Sequence, residues 1–139
     1  MANVLIVDDE EMDRLSRAQV IEDAGHTPFF AVDGEAAMQM YEEHDIALVI
    51  TDLRMPKVDG LSLIRNLLEH DPEAAIIAVS SMAQHLNVAE ASGAVVGLVK
   101  PVPPEDLIEA VEGILGKVPP SPPPGAGPPT AGDPWGTGV

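Results

Sequence analysis

The sequence predicts a doubly wound α/β domain, with a five-stranded parallel sheet in the order 2-1-3-4-5 and helices on both faces. Three observations carry this. Five short apolar runs alternate with five stretches of helical spacing, and no hairpin turn joins one run to the next. The runs are nearly continuous in Val, Ile, Leu and Ala, as in parallel strands covered on both faces. Most of them end in a polar residue, and in a parallel sheet all such ends lie along one edge, where open α/β folds bind their ligands.

Taken in order, Val4–Val7 is the first strand, ended by Asp8 and Asp9. Glu10 and Glu11 put acids in the first turn of a helix that runs to about Ala24 and stops at Gly25. Thr27–Val32 is β-like, and Pro28 assigns it to an edge of the sheet. Asp33-Gly34-Glu35 opens the second helix. Ile46–Ile50 is the third strand, carried on by Thr51 to Asp52, with Pro56 shortly after to stop further pairing. Leu61, Ile64, Leu67 and Leu68 give the third helix, over 60–70, its apolar stripe.

Ala74–Val79 is the fourth strand, ended by Ser80-Ser81, and a short helix follows near Ala83–Ala91. Ala94–Val99 is the fifth, ended by Lys100-Pro101. Pro104-Glu105 opens the last helix, with Leu107, Ile108, Val111, Ile114 and Leu115 on one stripe. Composition then breaks. Residues 118–139 hold 8 Pro, 5 Gly and a single charged residue, so the expected organisation is a domain over 1–117 followed by a disordered tail over 118–139.

The formal charge of −16, from 23 acidic against 7 basic residues, excludes function classes. Nucleic-acid binding neutralises phosphates with Lys and Arg, and anionic membranes select the same residues. Neither is expected as a partner. Without cysteine there is no disulfide framework and no thiolate metal site. The first apolar run lacks a basic leader and is too short for a signal peptide, so the expected location is the cytoplasm. Each of His26, His44, His70 and His85 lies in or next to a helix or turn without a partner at metal-binding spacing, and is read as a surface residue.

The strand ends deliver Asp8, Asp9, Asp52, Ser80 and Lys100 to one edge. In the expected order the first and third strands are neighbours, roughly 4.8 Å apart, which gathers three carboxylates in one crevice. Carboxylates that close repel one another unless a cation compensates them. With only hard oxygen ligands present, Mg²⁺ suits the site, and it keeps positions open for phosphate oxygens. Lys100 adds a point charge for a phosphate and Ser80 a hydroxyl donor. An acceptor carboxylate, a divalent cation, a lysine and a hydroxyl are the parts needed to form and hold an aspartyl phosphate.

With these pieces in place the chain resembles the receiver domain of bacterial two-component response regulators. The matching residues are Val-Asp-Asp-Glu at 7–10, Thr-Asp-Leu-Arg-Met-Pro with Asp-Gly at 51–60, Val-Ser-Ser at 79–81 and Lys-Pro at 100–101, in order across about 3–116. The resemblance implies a flavodoxin-like receiver fold, Asp52 as phospho-acceptor, and Mg²⁺ held by Asp8, Asp9, Asp52 and the Arg54 backbone carbonyl. It further implies Ser80 as the switch hydroxyl and Lys100 as the phosphate-pairing lysine, often followed by a cis proline. The implied partners are a sensor histidine kinase or a His-phosphotransfer protein, and a downstream protein target.

Two departures bear on output. Receivers usually carry Tyr or Phe three residues before the lysine, where this chain has Gly97, and the segment between Ser80 and Lys100 is a couple of residues short. Two other function classes compete. An aspartate-nucleophile phosphatase would need a further acid two residues after its nucleophile, where Arg54 stands. A flavodoxin-like cofactor-binding module would need a loop after the first strand that attracts phosphate, where Asp8-Asp9-Glu10-Glu11 repels it. The expectation is a stand-alone, single-domain regulator that is not an enzyme in the ordinary sense.

Overall fold

The computed structural model describes residues 2–54 and 59–116. Ten elements alternate: β1 (Asn3–Val7), α1 (Glu11–Asp23), β2 (Thr27–Ala31), α2 (Gly34–Glu43), β3 (Leu48–Asp52), α3 (Gly60–His70), β4 (Ile76–Ser80), α4 (Ala83–Ala91), β5 (Val96–Val99) and α5 (Pro104–Leu115). All strand pairs are parallel and their order is β2-β1-β3-β4-β5, as expected. The predicted tail over 118–139 lies outside the described residues.

Alternation along the strands builds two cores. Val4, Ile6, Leu48, Ile50, Ile77 and Val79 point to one face, where Ala18 and Ile21 of α1 and Leu107 and Val111 of α5 cover them. Leu5, Val7, Val49, Ile76 and Ala78 point to the other, under Ala37 of α2, Leu63, Ile64 and Leu67 of α3, and Leu86 and Ala89 of α4. Burying a side chain of this size contributes roughly 1.5–3 kcal/mol, so both faces of the sheet are strongly driven together. β2, carrying Pro28, is an edge strand as its sequence required. β5 is the other edge and is only partly covered, with Val99 half exposed.

Local chemistry sets the helix ends. Asp33 and Asp59 cap α2 and α3, each accepting a backbone N–H three residues on at 2.8 Å. Pro104 starts α5, and Gly116, in the left-handed region at φ 75°, ends it.

The structure corrects the reading at two places. The strands β3, β4 and β5 begin two residues later than expected, because the residues before them bond back to the preceding turn or helix: Ile46 to His44, Ala74 to Asp71 and Ala94 to Ala89. Asp52 and Ser80 are the last residues of their strands. His26 is buried, unlike His44, His70 and His85. It sits where the chain reverses after α1, and its Nδ1 accepts the Ala2 N–H at 3.1 Å while Nε2 faces Glu112 Oε1 at 3.6 Å.

Candidate functional site

The carboxyl edge of the sheet is assembled from four strand ends. Asp8 leaves β1 with its N–H still bonded to Ala31 of β2. Its buried carboxylate has two partners: Oδ1 accepts the Glu10 N–H at 2.9 Å, and Oδ2 meets Arg17 Nη1 at 2.5 Å. The Glu10 bond turns the chain into α1, so the residue that carries the charge also shapes the exit from the strand. Asp9 is exposed beside it.

Asp52 ends the central strand and is 4% exposed. Its Oδ1 accepts the Arg54 N–H at 3.0 Å, and Lys100 Nζ donates to its Oδ2 at 2.6 Å. The backbone behind it is held from below. Gly60 N–H donates to Leu53 O, and a Cβ on Gly60 would lie 2.4 Å from the Asp52 carbonyl oxygen. Only glycine lets α3 start this close to the carboxylate-bearing strand.

Ser80 ends β4 and is buried. Its Oγ accepts the Met82 N–H at 3.1 Å, shaping the turn into α4. Lys100 is tied beside it by a backbone bond from its N–H to Ser80 O at 2.9 Å, and the Lys100-Pro101 peptide is cis.

The geometry thus brings Asp8, Asp9, Asp52 and Lys100 together, with Ser80 on the same edge. One carboxylate oxygen from each of Asp8, Asp9 and Asp52 lies within 4.8 Å of the others. Ligands around an octahedral Mg²⁺ at 2.0–2.1 Å are separated by roughly 3–4 Å, so small adjustments fit this all-oxygen set to that ion. Arg54 is present through its N–H bond to Asp52.

Two arginines of α1 were missed by the sequence reading. Arg14 donates to the Asp8 carbonyl oxygen at 2.9 Å, and the buried Arg17 pairs with the Asp8 carboxylate. With Lys100, three basic side chains among the described residues converge on Asp8 and Asp52. No local sequence signal marks either arginine, since each reads as a solvated helix residue until its reach back to Asp8 is seen.

The position of Gly97 is also resolved. Leu86 of α4 lies directly over it, so close that a Cβ there would be 2.8 Å from Leu86 Cβ. Glu90 Oε2 accepts the Gly97 N–H at 2.8 Å, covering a donor of the edge strand. Where a ring is expected, α4 rests on bare backbone.

A 2-1-3-4-5 sheet with an acidic crevice and a lysine at its carboxyl edge defines a receiver-type domain. Residues 4–112 match the family model described as response regulator receiver domain, and the chain belongs to that family of two-component phosphoacceptor switches. It is 36% identical over 111 residues to the chemotaxis protein CheY of Thermotoga maritima, covering 78% of this chain and 92% of that one. It is 34% identical over 119 residues to protein CcdB of Bacillus subtilis, covering 84% and 99%. Among solved structures, the CheX-CheY-BeF3-Mg+2 complex from Borrelia burgdorferi superposes with a TM-score of 0.78 at 31% identity, over 82% of this chain and 89% of that one. Among the described residues no helix is long and apolar enough to cross a membrane.

Proposed function

We propose that Asp52 accepts a phosphoryl group from the phosphohistidine of a sensor histidine kinase or a His-phosphotransfer protein in the cytoplasm. The observation that best supports this is the setting of Asp52, a buried carboxylate at a strand end, clustered with Asp8 and Asp9 and held by Lys100. A carboxylate oxygen of Asp52 attacks phosphorus. The O–P bond forms as the P–N bond breaks, and the departing imidazole keeps the electron pair. No general base is required, because the nucleophile is already an anion.

Asp8, Asp9, Asp52 and the Arg54 carbonyl would hold Mg²⁺, which neutralises charge on the transferred oxygens when bound. A related CheY has been solved in a complex with BeF3 and Mg²⁺, which supports Mg²⁺ as the ion for this pocket. Lys100 is placed to move its hydrogen bond from Asp52 to the new phosphoryl group. Ser80 Oγ accepts from Met82 and still has its own proton to donate.

The Ser80 bond is new on phosphorylation and contributes roughly 1.5–3 kcal/mol, whereas Lys100 exchanges its bond to Asp52 for one to the phosphoryl group and adds less. Inverting a 1:99 population takes about 5.5 kcal/mol. Ser80, with the smaller gain at Lys100, therefore shifts the population part of the way without an aromatic at position 97, through the turn after Ser80 and into α4, toward a downstream protein target. A flavodoxin-like enzyme or cofactor-binding module is not favoured, since the acids after β1 repel phosphate.

Acetyl phosphate labelling in Mg²⁺, wild type against Asp52→Asn, tests the acceptor. Label on wild type alone is expected, and equal labelling removes the assignment. Amide shifts on adding beryllofluoride with Mg²⁺ test the route. They are expected to reach Met82 and α4, and shifts confined to Asp8, Asp9 and Asp52 would refute it.

A further inference from the structure

We propose that Arg17 acts as an internal counter-cation, pairing with Asp8 when the acidic pocket holds no metal and leaving it when a divalent cation binds, so that this one side chain sets the metal affinity. The inference rests on the Mg²⁺ reading above.

Asp8 has both oxygens engaged, Oδ1 by the Glu10 N–H and Oδ2 by Arg17 at 2.5 Å. A dication bonded to Asp8 Oδ2 would face the guanidinium at close range, and like charges in so buried a place repel strongly. Arg17 cannot simply drift into bulk water, since its side chain is 11% exposed. It has another place to go. Arg17 also lines a groove of about 850 Å³ between α1 and α5, together with Asp13 and Asp23. Asp13 is one turn earlier on the same helix, at the spacing where an acid and a base pair on a helix surface. Its carboxylate is half exposed and lies 3.9 Å from Lys100 Nζ. The guanidinium thus has two arrangements, inward on Asp8 or outward toward Asp13, and the divalent cation competes with only the first. The consequence is regulatory: the pocket stays neutralised at low Mg²⁺ and gives up its arginine as the ion is taken.

Calorimetric titration of Mg²⁺ into the full chain tests this with wild type, Arg17→Met and Arg17→Lys. The Met variant is expected to bind more tightly, in the roughly 5–150-fold range typical of coupled sites. The Lys variant, which keeps the charge, is expected to stay close to wild type. Unchanged or weaker binding in the Met variant overturns the proposal, as does a Lys variant that tightens as much as Met, because packing rather than charge would then be responsible. Absence of Mg²⁺ binding in all three proteins removes the metal reading itself. A measurement on wild type alone covers the case in which the Met variant fails to fold. The Arg17 Nε–H resonance should shift during Mg²⁺ addition with the same midpoint as the Asp8 and Asp9 amides, and an unmoved resonance overturns the proposal.

Discussion

Replacing Gly97 by Ala is expected to destabilise the domain, and the sign of the effect is diagnostic. The backbone of Gly97 is not in the left-handed region, so alanine is conformationally admissible. In an open position that change would stabilise by about 0.4–1 kcal/mol, by narrowing the unfolded ensemble. Here the new Cβ would lie 2.8 Å from Leu86 Cβ and 3.0 Å from Leu86 Cδ2, where carbon atoms prefer about 3.5–4.0 Å. Leu86 Cβ cannot rotate away, because it is bonded to the backbone of α4. The helix itself must move, and the Glu90 bond to the Gly97 N–H moves with it. Overpacking of this kind costs about 1–3 kcal/mol. Set against that gain, the net loss is up to about 2.6 kcal/mol, or up to roughly 11 °C in Tm for a domain of this size. Gly113→Ala is the control. A Cβ there meets nothing within 4 Å on an exposed part of α5, and the change should stabilise by about 0.8–1 kcal/mol. Urea and thermal unfolding of the two variants read the contrast. If Gly97→Ala matched Gly113→Ala in sign, α4 would not be clamped on β5 and the account of position 97 would fail.

Gly60→Ala should be harsher, since its Cβ meets backbone atoms of Asp52 and Leu53 at 2.4 and 2.5 Å; a loss of about 3 kcal/mol in urea unfolding is expected, with weaker acetyl phosphate labelling. Lys100→Met leaves the buried Asp52 carboxylate without its cation and should cost about 1–3 kcal/mol in metal-free buffer, while Asp52→Asn/Lys100→Met recovers most of it, because losing both partners is milder than losing one. Additive losses in that cycle would show that the pair is not coupled. Tyr41, the only tyrosine, has its pKa pushed up to about 12 by burial and by its hydrogen bond to Asp71 at 2.7 Å. The stabilisation from this raised pKa is complete below the ordinary tyrosine value near 10 and is lost as pH climbs through 12. The same bond holds the Asp71 carboxyl below its usual range, so its stabilisation is present above about pH 4 and fades as acid protonates it. Tyrosinate absorbance should show a late midpoint that moves earlier in Asp71→Ala; a midpoint near 10 in wild type would refute the coupling.

What the sequence made legible follows from range along the chain. Strand type, helix stripes and helix starts are written in neighbouring residues, which is why Asp33, Pro28 and Pro104 all do in the structure what their positions required. The acidic crevice was legible for a different reason. Parallel topology sends every strand end to one edge, so Asp8, Asp9, Asp52, Ser80 and Lys100 needed only the strand order to be brought together. Side-chain reach has no such rule. Arg17 lies nine residues after Asp8 and finds it by leaning back along α1, and nothing in its immediate neighbours distinguishes it from a solvated helix residue. Leu86 meets Gly97 across a helix–strand interface, and the sequence marks only that position 97 has no side chain, not what occupies the space. His26 reads as polar and exposed until the chain reversal beside it leaves the Ala2 N–H needing an acceptor. The contacts that escaped prediction are therefore polar or glycine contacts between distant residues. Two of them, at Arg17 and Gly97, are where the proposed competition with a cation and the proposed response of α4 would act. The parts common to the family could be read in order along the chain, whereas what sets this chain apart from a generic receiver depended on packing.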